Sequence, residues 1–104
     1  MDKGLIFENL LHVAQKEEAV IRLGELQGHY GLLKGKRIAL NIGMGIDKMN
    51  YTLAHELAHL FLHADQGDTI NSDRHEEYEE QADYAAKFLL HCMECILNEG
   101  GAMA

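Results

Sequence analysis

Apolar positions along the chain change their spacing several times, and each change marks a predicted element. Helical spacing over residues 5 to about 15 predicts a first helix, with apolar positions at Leu5, Ile6, Leu10 and Val13. Residues 19–23 fit either an extension of this helix or a first strand. Segments 30–33 and 37–42 have the composition of strands, and Lys34-Gly35 between them predicts a hairpin.

The run from Leu53 to Leu62 predicts a buried helix. Apart from two histidines and one glutamate, its residues are all Leu, Ala or Phe. A helix that is apolar nearly all round is packed against protein on most sides. Asp47 or Asn50 could cap the start of this helix.

A second helix follows a polar connection over residues 65–72. Asp73 and Glu76 have the spacing of a capping box, and residues 76–90 lack Gly and Pro and are rich in helix formers. The order of elements predicts an α+β domain: an N-terminal helix, a short antiparallel sheet, and two further helices.

The buried helix carries an H-E-x-x-H pentapeptide, His55-Glu56-Leu57-Ala58-His59. One helical turn, about 6 Å, separates the two histidines, so both can bind one metal ion. Glu56 points about 100° away from His55, where it could reach a water on that ion. The chain has seven His and eleven Glu in 104 residues, so a chance match deserves weight. The apolar surroundings argue against chance, because buried imidazoles and carboxylates need partners.

A hydrolytic zinc site needs a third protein ligand. His63 lies two turns, about 12 Å, beyond His55, too far for one helix to bring both to the same ion. His63 is expected to be a pocket-wall or hydrogen-bonding residue, or an ordinary histidine at a helix end. Glu79 is the better candidate, because it aligns with the apolar row of the last helix. Glu76 is its rival.

Asp83, one turn after Glu79, is placed to accept the spare N–H of a ligand imidazole. The simpler alternative is that Glu79 and Asp83 are surface acids on a helix with an alanine-rich face. A carboxylate on a core-facing row favours the metal, since it would otherwise be buried without a partner.

Two blocks, residues 51–63 and 79–90, resemble the ImmA/IrrE family of bacterial and phage zincin-like metallopeptidases. The family pairs T-L-A-H-E-L-x-H-x-x-L-H with a downstream E-x-x-A-N-x-F-A-x-x-L-L segment, and residues 31–41 are similar to its preceding hairpin. Asp83 and Ala85 stand where the family usually has Asn and Phe. The resemblance implies a small zincin-like, gluzincin-type domain with ligands His55, His59 and Glu79 and the catalytic base Glu56.

Length and composition predict a single domain over residues 1–104, with 98–104 as a flexible tail. The apolar fraction of 47% is ordinary for a globular protein, and no apolar run approaches a membrane span. The N-terminus lacks the pattern of a signal peptide, so we expect a cytoplasmic protein.

A net charge of −8 makes direct nucleic-acid binding unfavourable, since only Lys34, Lys36 and Arg37 form a basic cluster. The family resemblance links such domains with helix-turn-helix repressors, as a fused domain or as the protein they cut. No such domain is evident here, so a separate repressor is the expected candidate for a protein substrate.

Cys92 and Cys95, preceded by His91, form a C-x-x-C unit that could bind a metal or be redox active. One pair without a second is a weak signal, and small apolar helix-packing residues are the commoner case.

The predicted chemistry is zinc-assisted peptide hydrolysis, in which Glu56 takes a proton from a Zn²⁺-activated water. Tyr30, His63 and Tyr84 are open candidates for stabilising the oxyanion. Substrate could lie as an added strand along residues 37–41. Two alternatives use the same residues: a metal-binding regulatory or interaction module with little or no peptidase activity, and hydrolysis of a non-peptide amide.

Overall fold

A computed structural model describes residues 2–63 and 74–98. It contains three helices and three strands, in the order α1 (Lys3–Lys16), β1 (Val20–Gly24), β2 (Gly31–Lys34), β3 (Arg37–Asn41), α2 (Ile46–His63) and α3 (His75–Asn98). The predicted α+β class is confirmed. Three predictions fall outside the described residues: the capping box at Asp73, the polar connection over 65–72, and the tail over 98–104 apart from Asn98, which is the last residue of α3. None of the three helices among the described residues combines the length and the apolar character that a membrane span requires.

Helix α1 begins at an N-cap and packs through one narrow stripe. The Asp2 carboxylate accepts hydrogen bonds from the backbone N–H groups of Gly4 and Leu5. Ile6, Leu10 and Ala14 recur every four residues and are buried. The helix ends at Lys16, Glu18 adopts a φ of +60°, and the chain then enters β1. The strand alternative for residues 19–23 is therefore the correct one.

The sheet is mixed, with strand order β1-β3-β2. The predicted hairpin is confirmed, since β2 pairs antiparallel with β3. Its turn is Gly35-Lys36, one residue later than predicted, because Lys34 still pairs with Arg37, and Gly35 adopts φ +60°. The expectation of a wholly antiparallel sheet is wrong, because β1 pairs parallel with β3.

The loop between β1 and β2 explains this topology. Residues 25–30 pass the end of β3, where the Asn41 amide donates to the carbonyls of Leu26 and His29 and accepts from the Leu26 N–H. Because the loop passes the end of β3, β2 does not pair with β1, and β3 lies between them. Ile38 and Leu40 of this central strand are buried.

Helix α2 is the centre of the molecule and contacts α1, β2, β3 and α3. It begins at Ile46, so Asp47 and Asn50 lie inside it and neither is its N-cap, contrary to prediction. Both instead tie α2 to the start of α1. Asp47 pairs with the Lys3 ammonium at 2.8 Å, and the Asn50 amide donates to the Lys3 carbonyl at 3.0 Å.

Helix α3 contacts α2 through a stripe of mostly small residues. Tyr78, Ala82 and Ala86 recur every four residues and are its buried positions among residues 75–98. Alanine side chains permit close approach of two helix backbones. Glu79 follows Tyr78 directly, so this stripe brings its carboxylate to α2.

Candidate metal centre

His55 and His59 lie side by side on α2. Their ring centroids are 4.8 Å apart in an edge-to-face arrangement. The His59 side chain is 8% exposed and that of His55 is 19% exposed. Burial lowers the pKa of His59, which favours the neutral imidazole that a metal requires.

Glu79 reaches this pair from α3. Its Oε1 lies 3.3 Å from His55 Nε2, and its Oε2 contacts His59 Nε2. One potential ligand atom from each of the three residues lies within 4.8 Å of the others. In residues 2–63 and 74–98, no other group of three metal-ligating side chains comes together in this way. The structure thus brings together the three residues that the sequence singled out, whereas the rival Glu76 is exposed and outside the cluster.

Glu56 is buried beside the cluster. Burial, followed by the nearby negative charge of Glu79, raises its pKa to about 7. Glu56 lines a cavity of about 930 Å³ that is formed mainly by β2, α2 and the start of α3. A buried carboxyl next to three potential ligands is suited to proton transfer.

Gly31 covers one side of Glu56. A methyl group placed on Gly31 would lie 2.6 Å from Thr52 Cγ2 and 3.2 Å from Glu56 Oε2. Only glycine therefore lets β2 approach α2 this closely. Sequence reasoning missed this role, although a glycine inside a predicted strand is a signal of close backbone approach.

His63 lies behind the cluster. Its Nδ1 is 3.1 Å from His59 Nδ1, its Nε2 is 2.8 Å from Gln81 Oε1, and its ring packs against Tyr78. The prediction of a hydrogen-bonding residue in the pocket wall is confirmed, since His63 is buried and lines the cavity.

Asp83 does not have its predicted partner. Its carboxylate lies 3.0 Å from the Lys87 ammonium, while His55 Nδ1 is buried without a hydrogen-bond partner among the described residues. A lysine one turn along the same helix provides a local partner for Asp83. The prediction that Asp83 supports a ligand imidazole is therefore wrong for this structure.

The three oxyanion candidates differ in position. Tyr30 and His63 line the cavity, but Tyr84 does not and its side chain is exposed. Tyr30 lies at the rim, where the Lys48 ammonium sits 3.9 Å above its ring centre. Lys36 also lines the cavity.

Cys92 and Cys95 are free thiols on α3. Cys95 Sγ lies 3.7 Å from His91 Nε2. Within the described residues these side chains join no group of three metal ligands. The C-x-x-C unit is therefore separate from the histidine cluster.

Comparison with known families gives one result. The model of the IrrE N-terminal-like domain, a peptidase family, matches residues 12–91, which is 80 of the 104 residues. The match includes α2 and the part of α3 that carries Glu79. Searches of curated proteins and of solved structures gave no match.

Proposed function

Because the chain belongs to the peptidase family of IrrE N-terminal-like domains, we propose that it is a zinc metallopeptidase that hydrolyses a peptide bond of a protein substrate. The observation that carries the proposal is the convergence of His55, His59 and Glu79 beside the buried Glu56. Two imidazoles and a carboxylate are a donor set of hydrolytic zinc sites, and they leave a fourth position for water. When bound, the ion supplies Lewis acidity, which acidifies water and polarises a carbonyl group.

Glu56 carries the proton in the proposed reaction. Its carboxylate accepts a proton from the attacking water and later delivers that proton to the nitrogen of the departing amine. The Gly31 backbone closes one side of the carboxylate, and the cavity lies on another. This enclosure holds the proton acceptor in one place.

Tyr30 is the candidate that we favour for stabilising the oxyanion. Both ring nitrogens of His63 are occupied by His59 and Gln81, and Tyr84 is away from the cavity. The Tyr30 hydroxyl remains as a donor at the cavity rim.

The proposed path of the substrate follows β2. The expectation that substrate adds to residues 37–41 is wrong, because β3 is the central strand and both its edges are paired. Strand β2 has a free outer edge among the described residues, and its residues Gly31, Leu32 and Leu33 line the cavity. An extended peptide can pair with such an edge. Lys36 and Lys48 line the same cavity, so acidic residues near the cleaved bond should be favoured.

The test compares zinc-loaded wild-type protein with Glu56→Gln on a complex peptide mixture, with new termini mapped by mass spectrometry. The wild type should produce cleavages that Glu56→Gln, which retains all three ligands, reduces by about 100-fold or more. Equal cleavage by both proteins at equal zinc content would exclude the mechanism. A helix-turn-helix repressor remains our proposed class of protein substrate.

A second function, a metal-binding regulatory or interaction module, is favoured by one observation. The Glu79 side chain is 41% exposed, so the site is shallow on that side. A module of this kind should tolerate Glu56→Gln but not His55→Ala, whereas a peptidase should tolerate neither. Hydrolysis of a non-peptide amide would use the same residues and is distinguished by screening small amides beside the peptides.

A further inference from the structure

A row of hydrogen-bonded side chains connects the surface of α3 with the back of the cluster. Its members, from the surface inwards, are Arg74, Glu77, Gln81, His63 and His59. Arg74 forms two hydrogen bonds with the Glu77 carboxylate, at 2.9 and 2.8 Å, and Gln81 Nε2 donates to Glu77 at 3.3 Å. Gln81 Oε1 is 2.8 Å from His63 Nε2, and the two Nδ1 atoms of His63 and His59 are 3.1 Å apart.

For neutral imidazoles, the chemistry of the outer members fixes the direction of every hydrogen bond in the row. A guanidinium only donates and a carboxylate only accepts, so Gln81 turns its NH₂ group towards Glu77 and its carbonyl oxygen inwards. His63 must then donate from Nε2, which leaves a lone pair on Nδ1. His59 consequently donates from Nδ1, and its Nε2 carries a lone pair towards Glu79.

We propose that Gln81 and His63 are positioning residues that hold His59 in the tautomer whose Nε2 lone pair faces the metal site. The inference rests on the metal centre of the proposed function, though not on peptide cleavage. Partners of this kind fix the orientation of a ligand imidazole and raise its basicity. The imidazole lone pair and the Glu79 carboxylate then face each other, an arrangement that a cation between them would stabilise.

The opposite set of hydrogen-bond directions along this row is unfavourable. It would turn the Gln81 carbonyl oxygen towards the Glu77 carboxylate and its NH₂ group towards His63, so that two acceptors would meet. His63 is itself buried, and both its ring nitrogens have partners in the present orientation.

His55 provides an internal contrast. Its Nδ1 is buried and has no hydrogen-bond partner among the described residues. The two histidines of the pentapeptide are therefore held differently. Among the described residues, only His59 of these two has an Nδ1 atom that is connected with α3, through His63 and Gln81. Changes in the row should affect His59 and leave the tautomer of His55 unchanged.

The experiment measures zinc affinity by chelator competition and histidine tautomers by long-range ¹H–¹⁵N NMR. Gln81→Met removes the acceptor with a side chain of similar length and should weaken zinc binding about 10-fold. His63→Phe removes the imidazole itself and should weaken zinc binding by up to about 100-fold relative to wild type. Gln81→Glu keeps an acceptor oxygen and should stay within roughly threefold of wild type despite repulsion from Glu77. Gln15→Met makes the same change at an exposed position of α1 and should bind zinc as wild type does.

The NMR spectra separate positioning from simple packing. In the metal-free wild type, His63 should carry its proton on Nε2, and in metal-free Gln81→Met it should become a mixture of tautomers. Wild-type zinc affinity in Gln81→Met, or an Nδ1 proton on His63 in the wild type, would overturn the proposal. A protein that binds zinc with these signatures yet cleaves no peptide would refute the proposed activity and leave the positioning role intact.

Discussion

The close contact between β2 and α2 makes Gly31→Ala the most informative substitution outside the cluster. The new methyl carbon would lie 2.6 Å from Thr52 Cγ2, roughly 1 Å inside the optimal distance for two carbon atoms. The same carbon would lie 3.2 Å from Glu56 Oε2, so relief of the clash moves either β2 or the carboxylate. Overpacking of this kind costs about 1–3 kcal/mol in the free energy of unfolding.

Urea denaturation of the metal-free protein measures this loss, and peptide cleavage by the zinc-loaded protein measures the displacement of Glu56. Two further variants make the test specific. Gly24→Ala adds a methyl group where no atom lies within 4 Å, and its effect should stay within about 0.5 kcal/mol. Thr52→Ser removes Cγ2, so combining it with Gly31→Ala should recover about 1 kcal/mol relative to the sum of the single changes.

Equal stability and cleavage in wild type and Gly31→Ala would refute the claim that β2 packs directly on the Glu56 carboxylate. A loss in Gly31→Ala without any coupling to Thr52→Ser would also count against it, because the clash is assigned to Cγ2.

Three further predictions concern residues that position the elements around the metal site. Asn41→Ala removes the hydrogen bonds that hold the loop 25–30 and should lower the free energy of unfolding by about 1–3 kcal/mol in urea denaturation; an unchanged midpoint would contradict that role. Ala86→Leu should push α3 away from α2, which lowers the melting temperature and weakens zinc binding; unaltered values for both would mean that the alanine stripe does not set the helix separation. Asp83→Asn should change zinc affinity less than about twofold, because Asp83 pairs with Lys87 and not with His55; a loss of 10-fold or more would restore the role first predicted from sequence.

The features that could be predicted from sequence depend on local periodicity. The spacing of His55 and His59 fixes their common face once α2 is helical, and the apolar run fixes that α2 is buried. Glu79 was found in the same way, since its alignment with the apolar row places it next to α2. These inferences need only the helical repeat and the cost of burying a polar group.

The features that were mispredicted depend on the arrangement of elements in space. Hydrophobic spacing does not encode strand order, so it did not reveal that β3 is central or that β1 is parallel to it. Asp83 has two candidate partners of different kinds, a lysine on its own helix and an imidazole on another, and helical periodicity alone does not choose between them. The roles of Gly31 and Gln81 likewise depend on contacts between separate elements.

The zinc-edge X-ray absorption spectrum of the zinc-loaded protein tests the central claim most directly. The ligand set of two imidazoles, one carboxylate and water predicts nitrogen and oxygen neighbours at about 2.0–2.2 Å, with outer-shell scattering from imidazole rings. Glu79→Ala should alter this spectrum, and replacing Cys92 and Cys95 by serine should not. A sulfur shell at about 2.3 Å that disappears with the cysteines would place the metal on the C-x-x-C unit and contradict the account.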